Sequence, residues 1–380
     1  MKTNTLFLTL NIFSATGGIE KVCRIAGKAL YEQAIAHSQS LMIWSMHDTE
    51  KDITGNAYFP AEYYTSFSGN RAVFVSRAVK QGVQADTVIL SHINLLMIAW
   101  LIKKIAPKTK IILMAHGIEI WGKISVFKNI NITAVDRFWA VSHFTKNRIM
   151  EQHRVPAKKI AVLNNCLDPY LPAPQNIFIP HGLRQRYHLQ EGDKILFTLT
   201  RLSSKEKYKG YDDVLQALKE LNDPAIKYIL AGKADPVALT QIKQQVKNLG
   251  LQQQVILAGF IPEEELAAHF TLSDCYIMPS SKEGFGIVFI EAMYYGIPVI
   301  GGNADGTSDA LQNGKLGCMV EPGNITAIKN TLQKVLAAKE AYQPDTHLLN
   351  ELFSYHSYKQ KLETLSYLKN KRAKLQDAGN

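Results

Sequence analysis

The sequence predicts an α/β protein made of two doubly wound domains, each with its own parallel sheet. The chain has 380 residues, more than the roughly 250–300 at which a single hydrophobic core stops growing. Short apolar runs alternate with longer amphipathic stretches, which is the pattern of βαβ units. A proline-bearing stretch near residues 170–190 interrupts this alternation and indicates a linker between the two domains.

The first series of apolar runs predicts the strands of an N-terminal domain over residues 1–172. These runs are Thr5–Leu10, Ser40–Ser45, Thr87–Ser91, Lys110–Ala115, Arg137–Val141 and Ile160–Leu163. Amphipathic stretches such as Ile19–Tyr31 lie between them and predict the helices that cover the sheet.

A second series predicts a C-terminal domain over residues 190–354. Its strands are expected at Lys194–Thr200, Lys227–Ala231, Gln254–Ala258, Cys275–Pro279, Pro298–Gly301 and Cys318–Val320. The segment from about residue 355 to 380 is helical in pattern, and we expect it to pack back on the N-terminal domain.

The positive charge is concentrated in the first half of the chain. The net charge is +10, and residues 1–175 hold 20 Lys and Arg against 11 Asp and Glu. A basic domain suits nucleic acid, anionic lipid or phosphorylated substrates. No nucleic-acid-binding module is recognisable, so we expect no nucleic-acid partner. The stretch from Trp100 to Lys110 fits either an anionic membrane surface or a core helix with solvated lysines.

The chain is expected to be cytoplasmic, with contact at the inner membrane face as an open alternative. The run Leu6–Leu10 is too short for a signal-peptide core. The longest apolar run, Leu95–Ile102, is far shorter than the ~20 residues that cross a bilayer. The four cysteines stand singly, without the close pairs of a zinc site, and no metal is expected.

Two motifs follow predicted strands of the first domain, where ligands of doubly wound sheets bind. Gly17 and Gly18 open a helix after the first strand, and such glycines let backbone N–H groups approach a phosphate. A tight turn without a ligand explains them equally well. His116 directly follows the strand Lys110–Ala115, which favours a role at the substrate, although a packed or capping histidine is the alternative.

A basic loop follows the first strand of the second domain. Arg201 is followed by Lys205, Lys207 and Lys209 before Gly210. Such cations can hold a diphosphate and neutralise the charge on a departing phosphate. A solvated basic loop is the alternative reading.

The most specific stretch is Ser280–Ala292. Gly284 and Gly286 free the backbone for close approach, a helix begins near Ile287, and Glu283 and Glu291 lie eight residues apart. Helix amides bind phosphate and carboxylates accept sugar hydroxyls, so this stretch suits a ligand with both a diphosphate and polyols.

Taken in order, these motifs resemble those of the retaining glycosyltransferases of family 4, the group 1 glycosyltransferases. That family has the GT-B fold, in which two Rossmann-like doubly wound domains face each other across a cleft. The resemblance covers nearly the whole chain and points to a bacterial polysaccharide-assembly enzyme. It rests on Gly17-Gly18, His116-Gly117, Ala140-Val141-Ser142, Asn165, Arg201, Lys209-Gly210, Gly259-Phe260 and Glu283 through Glu291.

The resemblance implies roles for individual residues. The catalytic residues would be His116, Arg201, Lys209 and Glu283. Arg201 and Lys209 would hold the donor diphosphate, with Lys207 as a substitute because the spacing is longer than in some members. Glu283 would contact the sugar hydroxyls and Glu291 the ribose, while His116 would face the donor sugar. Further donor contacts would come from Gly17, Gly18, Phe260, Ile261, Gly284, Phe285, Gly286, Ile287 and Val288.

The predicted function is retaining, metal-independent transfer of a sugar to a saccharide or lipid-linked acceptor in cell-surface polysaccharide synthesis. The first domain would serve the acceptor and the second the donor. UDP-glucose is the first expectation for the donor and GDP-mannose the second, with no further cofactor. Metal independence follows from the lack of an Asp-x-Asp motif. A sugar-nucleotide 2-epimerase of similar architecture and a non-catalytic basic binding protein are the alternatives.

Overall fold

A computed structural model describes residues 4–177 and 181–367. The chain divides into two compact units: unit 1 comprises Met1–Pro169 and Tyr355–Asn380, and unit 2 comprises Tyr170–Ser354. Part of the expected linker, including Pro180, and the part of the expected C-terminal helix beyond residue 367 lie outside the described residues.

Unit 1 is built on a parallel sheet of seven strands within the described ranges. In chain order they are β1 (Asn4–Thr9), β2 (Ser40–Ser45), β3 (Tyr64–Ser66), β4 (Thr87–Leu90), β5 (Lys110–Ala115), β6 (Arg137–Ala140) and β7 (Ile160–Val162). Their order across the sheet is β3-β2-β1-β4-β5-β6-β7. The order reverses between β1 and β4, which makes the sheet doubly wound.

Except between β2 and β3, the helices of unit 1 connect successive strands, as is usual for parallel pairing. They are α1 (Gly18–Ala36), α2 (Arg71–Gln84), α3 (Leu96–Ile105), α4 (Ile118–Trp121), α5 (Val126–Asn131) and α6 (His143–His153). The segment Tyr355–Tyr367, which we number last as α15, also belongs to unit 1. Lys359 of this segment pairs with Glu32 of α1 at 2.6 Å, and Leu362 is fully buried.

Unit 2 repeats the same design with a six-stranded parallel sheet in the described ranges. Its strands are β8 (Lys194–Leu199), β9 (Ile226–Ala231), β10 (Val255–Gly259), β11 (Cys275–Met278), β12 (Val299–Gly302) and β13 (Cys318–Val320), in the order β10-β9-β8-β11-β12-β13. Its helices are α7 (His181–Arg186), α8 (Tyr211–Leu221), α9 (Pro236–Leu249), α10 (Glu263–Leu272), α11 (Ile287–Tyr294), α12 (Thr307–Ala310), α13 (Ile325–Ala337) and α14 (Thr346–Phe353).

Both sheets have buried central strands. In unit 1, Leu8, Ile89 and Leu113 are at most 1% exposed, and in unit 2 Leu196 and Ile300 are fully buried. Strands covered by helices on both faces are apolar throughout, which explains the continuous apolar runs in the sequence. The two-domain α/β prediction is therefore confirmed.

The predicted strands agree with the observed ones to within one residue at each end, but β3 was missed. Tyr64–Ser66 is a three-residue edge strand whose side chains are all half-buried. It has no apolar run, so the hydrophobic pattern could not reveal it. It pairs in parallel with β2, with Tyr64 opposite Ile43.

Candidate functional site

Two loops of unit 2 meet where the strand order reverses. The loop after β8 carries Arg201 to Gly210, and the loop after β11 carries Ser280 to Gly286. The Ser281 N–H donates to the Tyr208 carbonyl at 2.9 Å, which ties the two loops together. Ligands of doubly wound sheets bind at this reversal, outside the carboxyl ends of the strands.

An ion pair between Lys209 and Glu283 lies at this junction. The Lys209 ammonium and a Glu283 carboxylate oxygen are 2.6 Å apart, and the two side chains are 14% and 19% exposed. Burial acts to lower the pKa of Lys209, but the Glu283 carboxylate outweighs it and raises that pKa. Lys209 is therefore a cation at neutral pH. The Lys209 and Lys282 ammonium groups lie 5.6 and 5.8 Å from the centre of the Tyr208 ring.

The other predicted cations of the basic loop are exposed to solvent, unlike Lys209. The Arg201 guanidinium pairs with Glu206 at 3.0 Å, and the Arg201 side chain is 73% exposed. Lys205 and Lys207 are exposed, and the charge of Lys207 acts on Asp212. Lys209, rather than its predicted substitute Lys207, forms the ion pair with Glu283.

The glycines of the second loop allow tight packing at the start of α11. Gly286 precedes the helix with φ of +84°, in the left-handed region, and a side chain there would collide with Phe289. Phe285 is buried against Phe353, with ring centres 5.4 Å apart, so only its backbone is available to a ligand. The first amides of α11, including those of Ile287 and Val288, have no partners within the helix.

The remaining predicted donor residues are spread over unit 2. Glu291 lies on α11 and is 2% exposed, while Val288 is half-buried. Phe260 follows β10 with 58% of its surface exposed, and its neighbour Ile261 is buried. Gly284 is also buried, and its carbonyl packs so closely on Gly306 that a side chain on Gly306 would not fit.

Asp305 is a residue of this region that the sequence analysis missed. It follows β12, is 1% exposed, and accepts hydrogen bonds from the Ser280 hydroxyl at 2.8 Å and the Glu283 N–H at 2.6 Å. Burial raises its pKa to about 6. The available signal was the position of Asp305 after a strand, between Gly302 and Gly306.

In unit 1, Gly17 and Gly18 begin α1 after a loop that a second missed aspartate organises. Asp48 follows β2, is fully buried, and accepts from the backbone N–H groups of Ile12 and Phe13 at 2.9 and 3.0 Å. Tyr64 also donates to it at 2.6 Å. Burial opposes its ionisation, but these hydrogen bonds lower the pKa of Asp48 overall. The Asp48 carboxylate thus fixes the backbone of the loop that leads to Gly17 and Gly18.

His116 lies at the carboxyl end of β5. Its Nε2 lies 2.8 Å from the Ser91 carbonyl, and its backbone N–H donates to Glu119 at 2.6 Å. A carbonyl oxygen only accepts, so Nε2 carries the hydrogen. The opposite nitrogen, Nδ1, is buried and has no hydrogen-bond partner among the described residues. A buried polar atom without a partner is uncommon in folded proteins, which makes His116 Nδ1 a candidate acceptor for a bound group.

Metal-ligand clusters and membrane-spanning helices are both absent from the described residues. In residues 4–177 and 181–367, no three His, Cys, Asp or Glu side chains come together as a metal site would require. Over the same residues, every helix is too short or too polar to cross a bilayer.

Two family models match the chain. Residues 182–344 match the family described as Glycosyl transferases group 1. Residues 47–170 match the Glycosyltransferase Family 4 model. The first match contains the Lys209–Glu283 pair and Asp305, and the second contains Asp48 and His116.

Proteins similar in sequence include two from bacteria. N-acetyl-alpha-D-glucosaminyl L-malate synthase of Bacillus anthracis is 28% identical over 64% of this chain and 63% of its own length. A GDP-mannose-dependent alpha-(1-6)-phosphatidylinositol monomannoside mannosyltransferase of Mycolicibacterium smegmatis is 32% identical over 61% of this chain and 62% of its own. The chain thus spans about three-fifths of the length of these relatives.

Solved structures share the fold over almost the whole chain. Anabaena HepE in complex with UDP and glucose superposes with a TM-score of 0.78 at 20% identity, covering 96% of this chain and 99% of that one. Sucrose-phosphate synthase from Thermosynechococcus elongatus has a TM-score of 0.72 at 15% identity, covering 96% and 98%. At these identities the likeness is one of fold.

Proposed function

Because the chain belongs to the group 1 glycosyltransferases, we propose that it transfers a sugar from a nucleotide-sugar donor to a saccharide or lipid-linked acceptor. The observation that carries this proposal is the Lys209–Glu283 pair, held between two strand-end loops at the reversal of the unit 2 sheet. It combines a cation suited to a diphosphate with a carboxylate suited to sugar hydroxyls.

The diphosphate is proposed to bind between Lys209 and the first turn of α11. Lys209 is cationic and largely buried, so its field on a departing phosphate is weakly screened. The amides of Ile287 and Val288, in the first turn of α11, add the positive end of a helix. Arg201 is exposed, and we propose that it exchanges Glu206 for a phosphate when the donor binds. These groups neutralise the leaving group without a metal ion.

The sugar and nucleoside are proposed to bind on either side of the diphosphate. Glu283 accepts hydrogen bonds from the sugar hydroxyls, and Glu291 accepts from the ribose. The backbone of Phe260 and Ile261, at the end of β10, contacts the base. Recognition of the base through main-chain groups leaves the nucleotide open. UDP-glucose is the first candidate, and GDP-mannose is the second because a relative depends on it.

In unit 1, we propose that His116 Nδ1 accepts a hydrogen bond from a donor-sugar hydroxyl. This supplies the partner that the buried nitrogen lacks within the described residues. Gly17 and Gly18, at the start of α1, offer backbone amides to the diphosphate. Retention would follow from attack of the acceptor on the same face of the sugar from which the phosphate leaves, with that phosphate taking the acceptor's proton.

The cytoplasmic face of a membrane is proposed as the place of action. On α3 and the adjacent α5, Met97, Ile105 and Ile130 are exposed to 38, 63 and 56%. Lys104 and Lys108 are exposed beside them. Exposed apolar side chains among lysines fit the boundary of an anionic bilayer, where a lipid-linked acceptor lies.

Vesicle co-sedimentation at low salt tests this surface. We expect the chain to bind vesicles of phosphatidylglycerol and phosphatidylcholine, and the double substitution Lys104→Glu, Lys108→Glu to abolish binding. Lys243→Glu with Lys247→Glu on α9 reverses the same charge on exposed lysines of unit 2 and should bind as well as wild type. Equal binding of all three chains would refute the surface.

The activity test is product analysis in EDTA. The chain is incubated with UDP-glucose or GDP-mannose, with and without bacterial lipid and polysaccharide acceptors. A transferase releases the nucleoside diphosphate and labels an acceptor, and slow hydrolysis of the donor occurs without one. Conversion of the intact sugar nucleotide into its 2-epimer, without acceptor, would contradict the proposal. Absence of any conversion and any binding would also contradict it.

A further inference from the structure

Glu283 is held at both ends of its backbone by two consecutive residues after β12. Its N–H donates to Asp305 Oδ2 at 2.6 Å, and its carbonyl accepts from the Gly306 N–H at 2.8 Å. The next residue, Gly284, packs against Gly306, where a Cβ would collide with the Gly284 carbonyl. The Glu283 side chain is held separately by Lys209. The orientation of Glu283 thus depends on a clamp from a different loop.

Asp305 is the charged member of this clamp. It is 1% exposed, and besides Glu283 its carboxylate accepts from the Ser280 hydroxyl at 2.8 Å and the Thr307 N–H at 2.9 Å. All three partners are donors, and two of them converge on Oδ2. Both oxygens of a carboxylate can accept hydrogen bonds from these donors. An asparagine amide would place its NH2 group, which is itself a donor, against at least one of the three.

We propose that Asp305 is a positioning residue that fixes Glu283 against the donor sugar, and so sets the preference of the site for a sugar nucleotide over the free nucleoside diphosphate. This inference rests on the proposed function. The contact chain is continuous: Asp305 holds the Glu283 backbone, and Glu283 presents its carboxylate beside Lys209. Burying a carboxylate is costly, and the raised pKa of Asp305 reflects that burial. Here the cost of burying the Asp305 carboxylate is offset by hydrogen bonds from three donors.

The test compares affinities for UDP with UDP-glucose and for GDP with GDP-mannose, using wild type and Asp305→Asn. In the variant we expect the ratio of sugar-nucleotide affinity to nucleoside-diphosphate affinity to fall at least about tenfold, because losing one hydrogen bond between a sugar hydroxyl and a charged carboxylate costs about that factor in affinity. Affinity for the diphosphate alone should change less, because the proposed partners of Glu283 are the sugar hydroxyls. Asp274→Asn is the control. Asp274 also accepts a hydrogen bond from a backbone N–H, that of Ile195 at 2.7 Å, but it lies before β11 and not after a strand. Its ratio should stay at the wild-type value.

A double-substitution cycle separates positioning from general support. If Asp305 acts through Glu283, Asp305→Asn should lower the ratio no further in a Glu283→Ala background. Additive losses, or a wild-type ratio in the single variant, would overturn the inference while leaving the proposed function intact. If wild type binds none of the four nucleotides, the proposed function itself fails. Should Asp305→Asn not fold, Ser280→Ala loosens the same carboxylate. A ratio lowered about threefold then supports the inference, and an unchanged ratio overturns it.

Discussion

Replacing Lys209 by alanine removes the cation that faces Glu283. The two groups are 2.6 Å apart and their side chains are 14% and 19% exposed, so the substitution leaves a largely buried carboxylate without its partner. Such a loss costs about 1–3 kcal/mol of stability. For a domain the size of unit 2, about 1 kcal/mol shifts the melting temperature by roughly 2–4 °C. We therefore expect a folded protein that melts roughly 2–12 °C lower.

The effect on turnover should be much larger than the effect on the fold. Removing one preorganised group that stabilises developing charge costs about 10²–10³ in kcat. Lys209→Ala should lose turnover by that factor, because the departing diphosphate then lacks its buried cation. Lys209→Arg keeps the charge and should recover part of the rate, although its planar fork does not match an ammonium position.

The assay is release of the nucleoside diphosphate at saturating donor, alongside a melting curve for each variant. Lys329→Ala is the matched control, since Lys329 forms a more exposed 2.8 Å pair with Glu220 elsewhere in unit 2. An exposed pair contributes at most about 1 kcal/mol, and this variant should keep wild-type turnover. A Lys209→Ala protein that melts lower but turns over within threefold of wild type would refute the role of Lys209 at the leaving group.

Three further predictions concern the same unit. Glu283→Gln keeps the size of the side chain but removes its charge, so it should lose most turnover in the nucleotide-release assay while its circular dichroism stays native; near-normal rates would remove Glu283 from the site. Gly306→Ala should displace the Gly284 carbonyl and abolish the thermal shift with donor nucleotide, whereas Gly122→Ala, which has open space and φ of −98°, should behave as wild type; a normal shift for Gly306→Ala would contradict the packing at that position. The pKa of Asp305 is raised from 3.8 to about 6, so the folded state binds its proton more tightly than the unfolded state. This favours folding below about pH 4 and is lost as the pH rises through 6. Relative to Asp305→Asn, wild type should therefore lose up to about 3 kcal/mol of unfolding free energy between pH 4 and 8 in urea titrations. A constant difference across that range would show that Asp305 does not titrate near 6.

Hydrophobic pattern alone was enough to predict the double α/β organisation. Strands buried on both faces need continuous apolar runs, and β5 was predicted with both ends correct because Lys110–Ala115 is such a run. The edge strand β3 was not predicted, because its three half-buried residues form no continuous apolar run. Strand ends could be located to within a residue, which is why loop residues such as His116 and Arg201 were found at the carboxyl ends of strands.

Contacts between segments far apart in the chain could not be predicted from the hydrophobic pattern. The sequence marked both Lys207 and Lys209, and the choice between them depends on how the loop after β8 folds against Glu283, 74 residues later. Asp48 and Asp305 were missed because each acts on a loop that belongs to another strand. An isolated aspartate after a strand is common, and only the folded chain shows which backbone groups it accepts from.

Calorimetric and thermal-shift titration of the full chain with UDP, GDP, ADP and UDP-glucose in EDTA tests the central claim most directly. A ligand that binds only the folded state raises its melting temperature by mass action. We predict a selective response to one nucleoside diphosphate and its sugar nucleotide without added metal, and loss of that response in Lys209→Ala. No response to any of the four, even after magnesium is added, would contradict a donor site at Lys209 and Glu283.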